Sequence, residues 1–202
     1  MSDEVGSSGN WNLPNVLTGI RILIVPFYGV ALLQDGGDSV LWRTVAAILF
    51  FVAMVTDKID GDIARSRGLV TNFGKIADPI ADKAMTGMAF VGLSVVGDIW
   101  WWVTVVVLLR EWSVTLLRLS ILRQVVVAAA RSGKVKTVLQ AVALAGLCLP
   151  LRQVHQPVLH DIGLVLFYAF EVLLGVAVAM TMWSGSEFFR DVRRQRAAPR
   201  AV

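Results

Sequence analysis

The sequence predicts an all-α integral membrane protein, and three observations carry that prediction. Of its 202 residues 56% are hydrophobic and only 17% are charged, with a mean hydropathy of +0.67. A soluble domain of this length needs far more polar surface. The apolar residues also gather into six stretches, at 16–33, 44–56, 79–97, 99–122, 137–151 and 162–184. Inside lipid every backbone N–H and C=O must be satisfied within its own segment, so each stretch is read as a helix.

The elements follow in order. Residues 1–12 are polar and contain Gly and Ser, giving a loose N-terminal tail before a membrane domain at 13–188. They lack the basic start of a cleavable signal, so the first helix serves as an uncleaved anchor. The apolar part of the second stretch ends at Val55, but nothing breaks a helix before Gly61. That helix therefore runs into water carrying Asp57 and Asp60. The third opens at Asp78-Pro79, a pair suited to a helix cap and a first helical position. Trp100, Trp101 and Trp102 start the fourth and mark the far interface, where indole rings commonly sit.

The fifth contains the single cysteine, Cys148, read as a small buried apolar residue with no disulfide partner. His155 and His160 fall in the connection that follows, remote from the acidic residues. Glu171, within the sixth, faces either a polar contact with a second copy or an interior cavity. A basic tail at 189–202 ends the chain.

Charge sets the orientation. Fourteen of the 19 Lys and Arg lie in or beside the 2–3 connection, the 4–5 connection and the C-terminal tail. Only Arg43 and Arg152 occupy the opposite connections, which places both termini in the cytoplasm. The net charge of +4 favours anionic lipid surfaces and is no argument for nucleic acid. No internal repeat is visible, which disfavours an inverted-repeat transporter.

Against this apolar background, residues 57–82 read DKIDGDIARSRGLVTNFGKIADPIAD. Asp57 and Asp60 are three apart, and Ala64 continues their stripe. Asp62 points away from it. Asp78 and Asp82 are four apart on the next helix. Two such helices side by side bring four carboxylates to one point. Hard oxygen ligands in this number suit Mg2+ or Mn2+, with a phosphate-bearing substrate completing the coordination. Gly61 and Ala64 leave a notch where a ligand reaches the backbone, and Gly74 does the same in the connection or simply serves a turn. Arg65 pairs with phosphate or with one of the aspartates.

The pattern D-x2-D-G-x2-A-R-x8-G-x3-D-x3-D resembles the signature of the CDP-alcohol phosphotransferases at every fixed position. That resemblance implies six membrane helices, a cytosol-facing polar cavity and a homodimer. It implies displacement of CMP from a CDP-linked lipid by an alcohol, with two divalent ions, Mg2+ or Mn2+, as cofactors. Carried over by position, Asp57, Asp60, Asp78 and Asp82 hold the metals, and Asp60, Gly61, Ala64, Arg65 and Gly74 line the CDP site. Asp82, one turn deeper than Asp78, is the expected general base.

The acceptor has to be read from the rest of the chain. Arg110 lies roughly 16 Å into the fourth stretch, counted from Ile99 at the helical rise, where an unpaired guanidinium is costly. Glu111 is about 100° round the helix and so a poor direct partner, while Arg118 returns to within about 80° of Arg110. With Lys134 and Lys136 these form a cationic pocket for an acceptor that carries a phosphate, although both lysines also fit as membrane anchors.

The segments REWSVTLLR (110–118), GKVKT (133–137) with Gln140, and NLPNVLTGIR (12–21) look like the branch of the family that uses sn-glycerol 3-phosphate. The implied reaction joins it to CDP-diacylglycerol, giving phosphatidylglycerophosphate and CMP. Phosphatidylglycerol and an inositol phosphate are the rival acceptors, and divalent-cation transport is the rival from another class. Asn15, Thr18 and Arg21 fall at helical spacing and face the same cavity or anchor the cytoplasmic edge.

Overall fold

The structure, a computed structural model, describes residues 13–66, 72–121 and 131–197. Among them the elements are six α-helices and one 3-10 turn. The helices are α1 (Leu13–Leu33), α2 (Val40–Ser66), α3 (Asn72–Val95), α4 (Trp101–Ile121), α5 (Arg131–Cys148) and α6 (Pro157–Ala197). The turn at Gln34–Gly37 joins the first two. Three segments are long and apolar enough to cross a membrane: Asn15–Gly37, Val40–Ile59 and Pro157–Ser186. A shorter apolar helix spans Val135–Cys148. The chain is thus an all-helical membrane protein.

Helix boundaries depart from the sequence reading in three places. α2 continues through Gly61 to Ser66, because one glycine costs only about 1 kcal/mol relative to alanine and does not by itself stop a packed helix. α3 begins at Asn72 and holds Pro79 inside it. Asp78 is therefore not a cap, and Gly74 lies in the first turn of a helix and not in a connection. Pro79 has no N–H to give the Lys75 carbonyl, a local loss that the helix absorbs near its start. α6 runs on through part of the basic segment to Ala197.

α1 packs on α2 and α3, and α5 packs on α6. α5 also meets α2 and α3, while α4 joins α3 to α6. Tyr28, Leu32, Phe50, Phe90, Leu93, Leu144 and Leu147 fill the interior with no exposed surface. A Cβ at Gly146 would run into the Phe170 ring, so α5 and α6 approach at a distance that a side chain would forbid. The outside is as apolar as the inside: Phe27 is 67% exposed, Val165 70% and Val172 69%. Continuous apolar exposure of this kind fits a lipid environment. Cys148 is wholly buried, its sulfur 3.1 Å from the Tyr28 hydroxyl, as a small apolar residue should be.

One end of the bundle is tied by a buried ionic clamp. Arg43 donates from Nε to the Gly37 carbonyl at 2.8 Å, from Nη1 to the Leu147 carbonyl at 2.9 Å, and from Nη2 to Asp98. Arg152 Nη1 donates to the other Asp98 oxygen at 2.9 Å, and its guanidinium lies 5.0 Å from the Phe167 ring centroid. Gln153 adds a 3.1 Å bond to the Gly37 carbonyl. Gly37 has φ +85, and a Cβ there would lie 2.7 Å from Val96, so only glycine turns that carbonyl toward both donors.

The clamp joins the α1–α2, α3–α4 and α5–α6 connections. Glu171 is within electrostatic range of Asp98 and Arg152 and belongs to this end, not to the neighbourhood of the acidic motif. His160 is here too, with Nδ1 3.1 Å from the Val154 carbonyl.

The side chains of Arg43 and Asp98 are 3% and 2% exposed, so removing the acid strands a buried cation. Asp98→Ala is expected to lower stability by about 3–5 kcal/mol. A fall in the thermal unfolding midpoint of the purified protein in detergent micelles checks it, and an unchanged midpoint would contradict the clamp.

Candidate functional site

At the other end α1, α3 and α5 begin while α2, α4 and α6 draw to a close. The acidic motif straddles the adjoining ends of α2 and α3. Asp78 and Asp82 are one turn apart on one face of α3, and the buried Gly74 precedes them at the same interval. Asp57 lies on α2 with its side chain 45% exposed.

Both helices are addressed from α1. The Thr18 hydroxyl donates to Asp78 Oδ1 at 2.7 Å, and Arg21 Nη1 donates to Asp57 Oδ1 at 2.6 Å. Thr18 and Arg21 are each 1% exposed and Asn15 is 8% exposed. An edge anchor keeps its polar head in water, whereas these three are buried. The spacing in sequence predicts a shared face but not the carboxylates that face it.

A second cluster gathers on Glu111 of α4, which is 8% exposed. Its Oε2 accepts from Lys83 of α3, and its Oε1 accepts from Lys136 of α5 and, at 2.7 Å, from Arg110 Nη1. Arg110 Nη2 donates to Ser184 Oγ of α6 at 2.7 Å. Four helices therefore meet around one carboxylate. The expectation that Glu111 is a poor partner for Arg110 is overturned. The angular offset of neighbouring residues applies at the helix surface, and a long guanidinium arm turns back across it.

Room for that turn comes from Gly185, where a Cβ would stand 2.8 Å from Arg110 Nε. Asp82 lies within electrostatic range of Arg21, Lys83, Glu111 and Lys136. The acidic and cationic clusters thus form one site, joined at the adjacent residues Asp82 and Lys83.

Other predicted residues are placed less fully. Gly61 is on α2 and half-buried. The side chains of Asp60, Asp62, Ala64, Arg65, Arg118 and Lys134 lie outside the described residues. Among the described residues, which do not include the Asp60 side chain, no three of His, Cys, Asp and Glu stand together as a ready metal site. The described donors Asp57, Asp78 and Asp82 offer only oxygen, the chemistry of hard divalent cations. His and Cys, the softer ligands, are at the clamp end or in the core.

Sequence reasoning passed over Lys83, Glu111, Ser184 and Gly185. The signal for the first two was their charge within apolar stretches. The last two offered none. Chemically, the arrangement places carboxylates for cations beside cations for an anion, a pairing suited to a phosphorylated substrate.

Relatives place this chemistry in context. A family model described as CDP-alcohol phosphatidyltransferase matches residues 11–183, a span that takes in both clusters as far as Lys136. Over 177 residues the chain is 42% identical to a Mycobacterium tuberculosis protein named "Probable phosphatidylglycerophosphate synthase", covering 88% of this chain and 79% of that one. It is 37% identical over 191 residues to a Bacillus subtilis protein named CDP-diacylglycerol–glycerol-3-phosphate 3-phosphatidyltransferase, with coverage of 89% and 94%. An Escherichia coli protein of the same name is 34% identical over 197 residues, covering 91% and 96%. With its acidic helix pair inside the matched span, this chain belongs to the CDP-alcohol phosphatidyltransferase family.

Proposed function

We propose that the chain transfers the phosphatidyl group of CDP-diacylglycerol to sn-glycerol 3-phosphate, yielding phosphatidylglycerophosphate and CMP. The observation that carries this reading is the meeting of the two clusters at Asp82 and Lys83. A carboxylate able to take a proton stands beside a cationic pocket able to hold the acceptor's phosphate. The names of the relatives at 34–42% identity support the same acceptor.

Each part of the chain has a role in this proposal. Asp57, Asp60, Asp78 and Asp82 would hold two divalent ions, Mg2+ or Mn2+, which when bound polarise the phosphorus and neutralise the leaving CMP. Thr18 and Arg21 hold Asp78 and Asp57 in fixed orientations. Asp60, Gly61, Ala64, Arg65 and Gly74 line the CDP site, the small residues giving the nucleotide access to backbone. Arg110, Arg118, Lys134 and Lys136 take the acceptor phosphate, and Asn15 lines the cavity with Thr18 and Arg21. Asp82 accepts the proton of the acceptor hydroxyl as its oxygen bonds to the lipid-side phosphorus and the bond to CMP breaks.

The setting belongs to the same proposal. All six helices cross the cytoplasmic membrane, those with charged ends projecting beyond the hydrocarbon. The polar cavity and both termini face the cytosol, a reading supported by the concentration of Lys and Arg at that end. The working form is a homodimer.

Three outcomes are expected. Supplied with CDP-diacylglycerol and Mg2+, the protein releases CMP with sn-glycerol 3-phosphate; release only with phosphatidylglycerol or an inositol phosphate would move the acceptor assignment. Asp82→Asn retains binding of CDP-diacylglycerol and loses turnover by about 10²-fold or more, the usual contribution of a positioned base. Near-normal turnover would remove Asp82 from that role. Thr18→Val weakens the Mg2+ dependence or the turnover by about 10–100-fold, because the groups that orient a metal-binding carboxylate matter nearly as much as the carboxylate. A Mg2+ titration of initial rates reads it.

A further inference from the structure

Glu111 is an acid in a pocket proposed to bind an acid. Its own charge opposes a phosphate, so its presence at 8% exposure calls for a reason. Lys83, Arg110 and Lys136 all bond to it, from three different helices. Without a carboxylate between them, three cations this close repel one another and swing apart. With it, they converge on one point while the group as a whole keeps an excess of two positive charges. That excess matches a phosphate monoester, which carries about −1.5 to −2 at neutral pH.

The site also has unused hydrogen-bonding capacity. Arg110 Nε is buried with no hydrogen-bond partner among the described residues, as is the Thr181 hydroxyl one turn before Ser184 on α6. Buried donors are seldom left unmet without a ligand or water to meet them. Gly185 seats the same guanidinium, since a Cβ there would stand 2.8 Å from Nε, 3.4 Å from Cγ and 3.5 Å from Nη2 of Arg110.

We infer that Glu111 is a positioning residue for the acceptor. It presents Lys83, Arg110 and Lys136 as a preformed phosphate receptor, and Gly185 fixes the direction from which Arg110 enters it. This inference rests on the proposed reaction and adds to it Lys83, Glu111 and Gly185. Loss of the negative charge does not improve phosphate binding, because the cations then disperse and preorganisation is lost.

Steady-state kinetics of the purified full chain in detergent micelles, following CMP release, tests this. Glu111→Gln is expected to raise KM for sn-glycerol 3-phosphate by roughly tenfold or more, leaving KM for CDP-diacylglycerol within about twofold, the signature of one substrate's lost binding contacts. Glu111→Asp, which keeps the charge, recovers part of the loss. Gly185→Ala raises the same KM without altering any charge, and it decides the matter where Glu111→Gln fails to fold.

An unchanged or lowered acceptor KM in both Glu111→Gln and Gly185→Ala overturns the inference, as does an equal rise in both substrates' KM. Failure of the reaction itself reads differently: the wild-type protein then releases no CMP with sn-glycerol 3-phosphate. The variants are in that case assayed with whichever phosphorylated alcohol the wild type uses. A shift confined to that alcohol's KM sustains the positioning role, and no shift overturns it.

Discussion

An ionised side chain buried between hydrocarbon helices must find its counter-charge there, and that constraint orders the whole bundle. The solvation lost on burial is recovered only through short, well-directed contacts. Such contacts fix where one helix stands along another, which apolar packing alone leaves loose. Arg43 with Asp98, Arg21 with Asp57, and Lys83 and Lys136 with Glu111 each join residues on different elements. Between them they pin every helix except where apolar packing between α5 and α6 already suffices.

The two ends of the bundle meet this constraint differently. At the clamp end, Arg43 uses all three of its nitrogens, and both oxygens of Asp98 accept from arginine. The buried charges of Arg43 and Asp98 are thus met by each other, by Arg152 and by backbone carbonyls, and the arrangement reads as structural. At the other end, three cations share one carboxylate and Arg110 Nε has no partner among the described residues. Aspartates from α2 and α3 stand alongside. Surplus charge of both signs is retained within a few residues of each other. A protein holds such an imbalance where bound ions and phosphates complete it.

Much of this was legible in the sequence, for reasons that differ by element. Six apolar stretches sufficed for six helices, three of them holding a segment long and apolar enough to cross a membrane. The acidic motif was legible because carboxylates at helical spacing are costly beside hydrocarbon. The start of α3 was not. Asn72, Lys75 and Asp78 interrupt the apolar residues at its start, and Pro79 imitates a first helical position, so hydropathy and capping rules both point to the wrong residue. Glu111 was missed because angular bookkeeping treats side chains as short spokes, whereas arginine and lysine reach across a helix face. Arg43 fell to a similar simplification: as a loop charge it informed topology, and only the fold shows it buried against Asp98. Gly185 carried no signal, since its meaning lies in the guanidinium opposite.

The alignment of the acidic helices turns on α1 rather than on the helices that bear the aspartates. α2 and α3 touch each other far less than each touches α1. Asp57 and Asp78 therefore owe their relation to Arg21 and Thr18, which stand one turn apart on a single rigid element. The same helix packs against α3 farther along, where Gly92 faces Leu32 and Gly29 faces Met88 at distances that leave no space for a Cβ. α1 then ends in the Gln34–Gly37 turn, whose last carbonyl is held by Arg43 and Gln153. One helix so connects the clamp to the charged site. Its polar residues at 18 and 21 set the orientation of the carboxylates, and its apolar length transmits a fixed position from the far end. The geometry that would bind metal is thus a property of α1's placement as much as of the aspartates themselves.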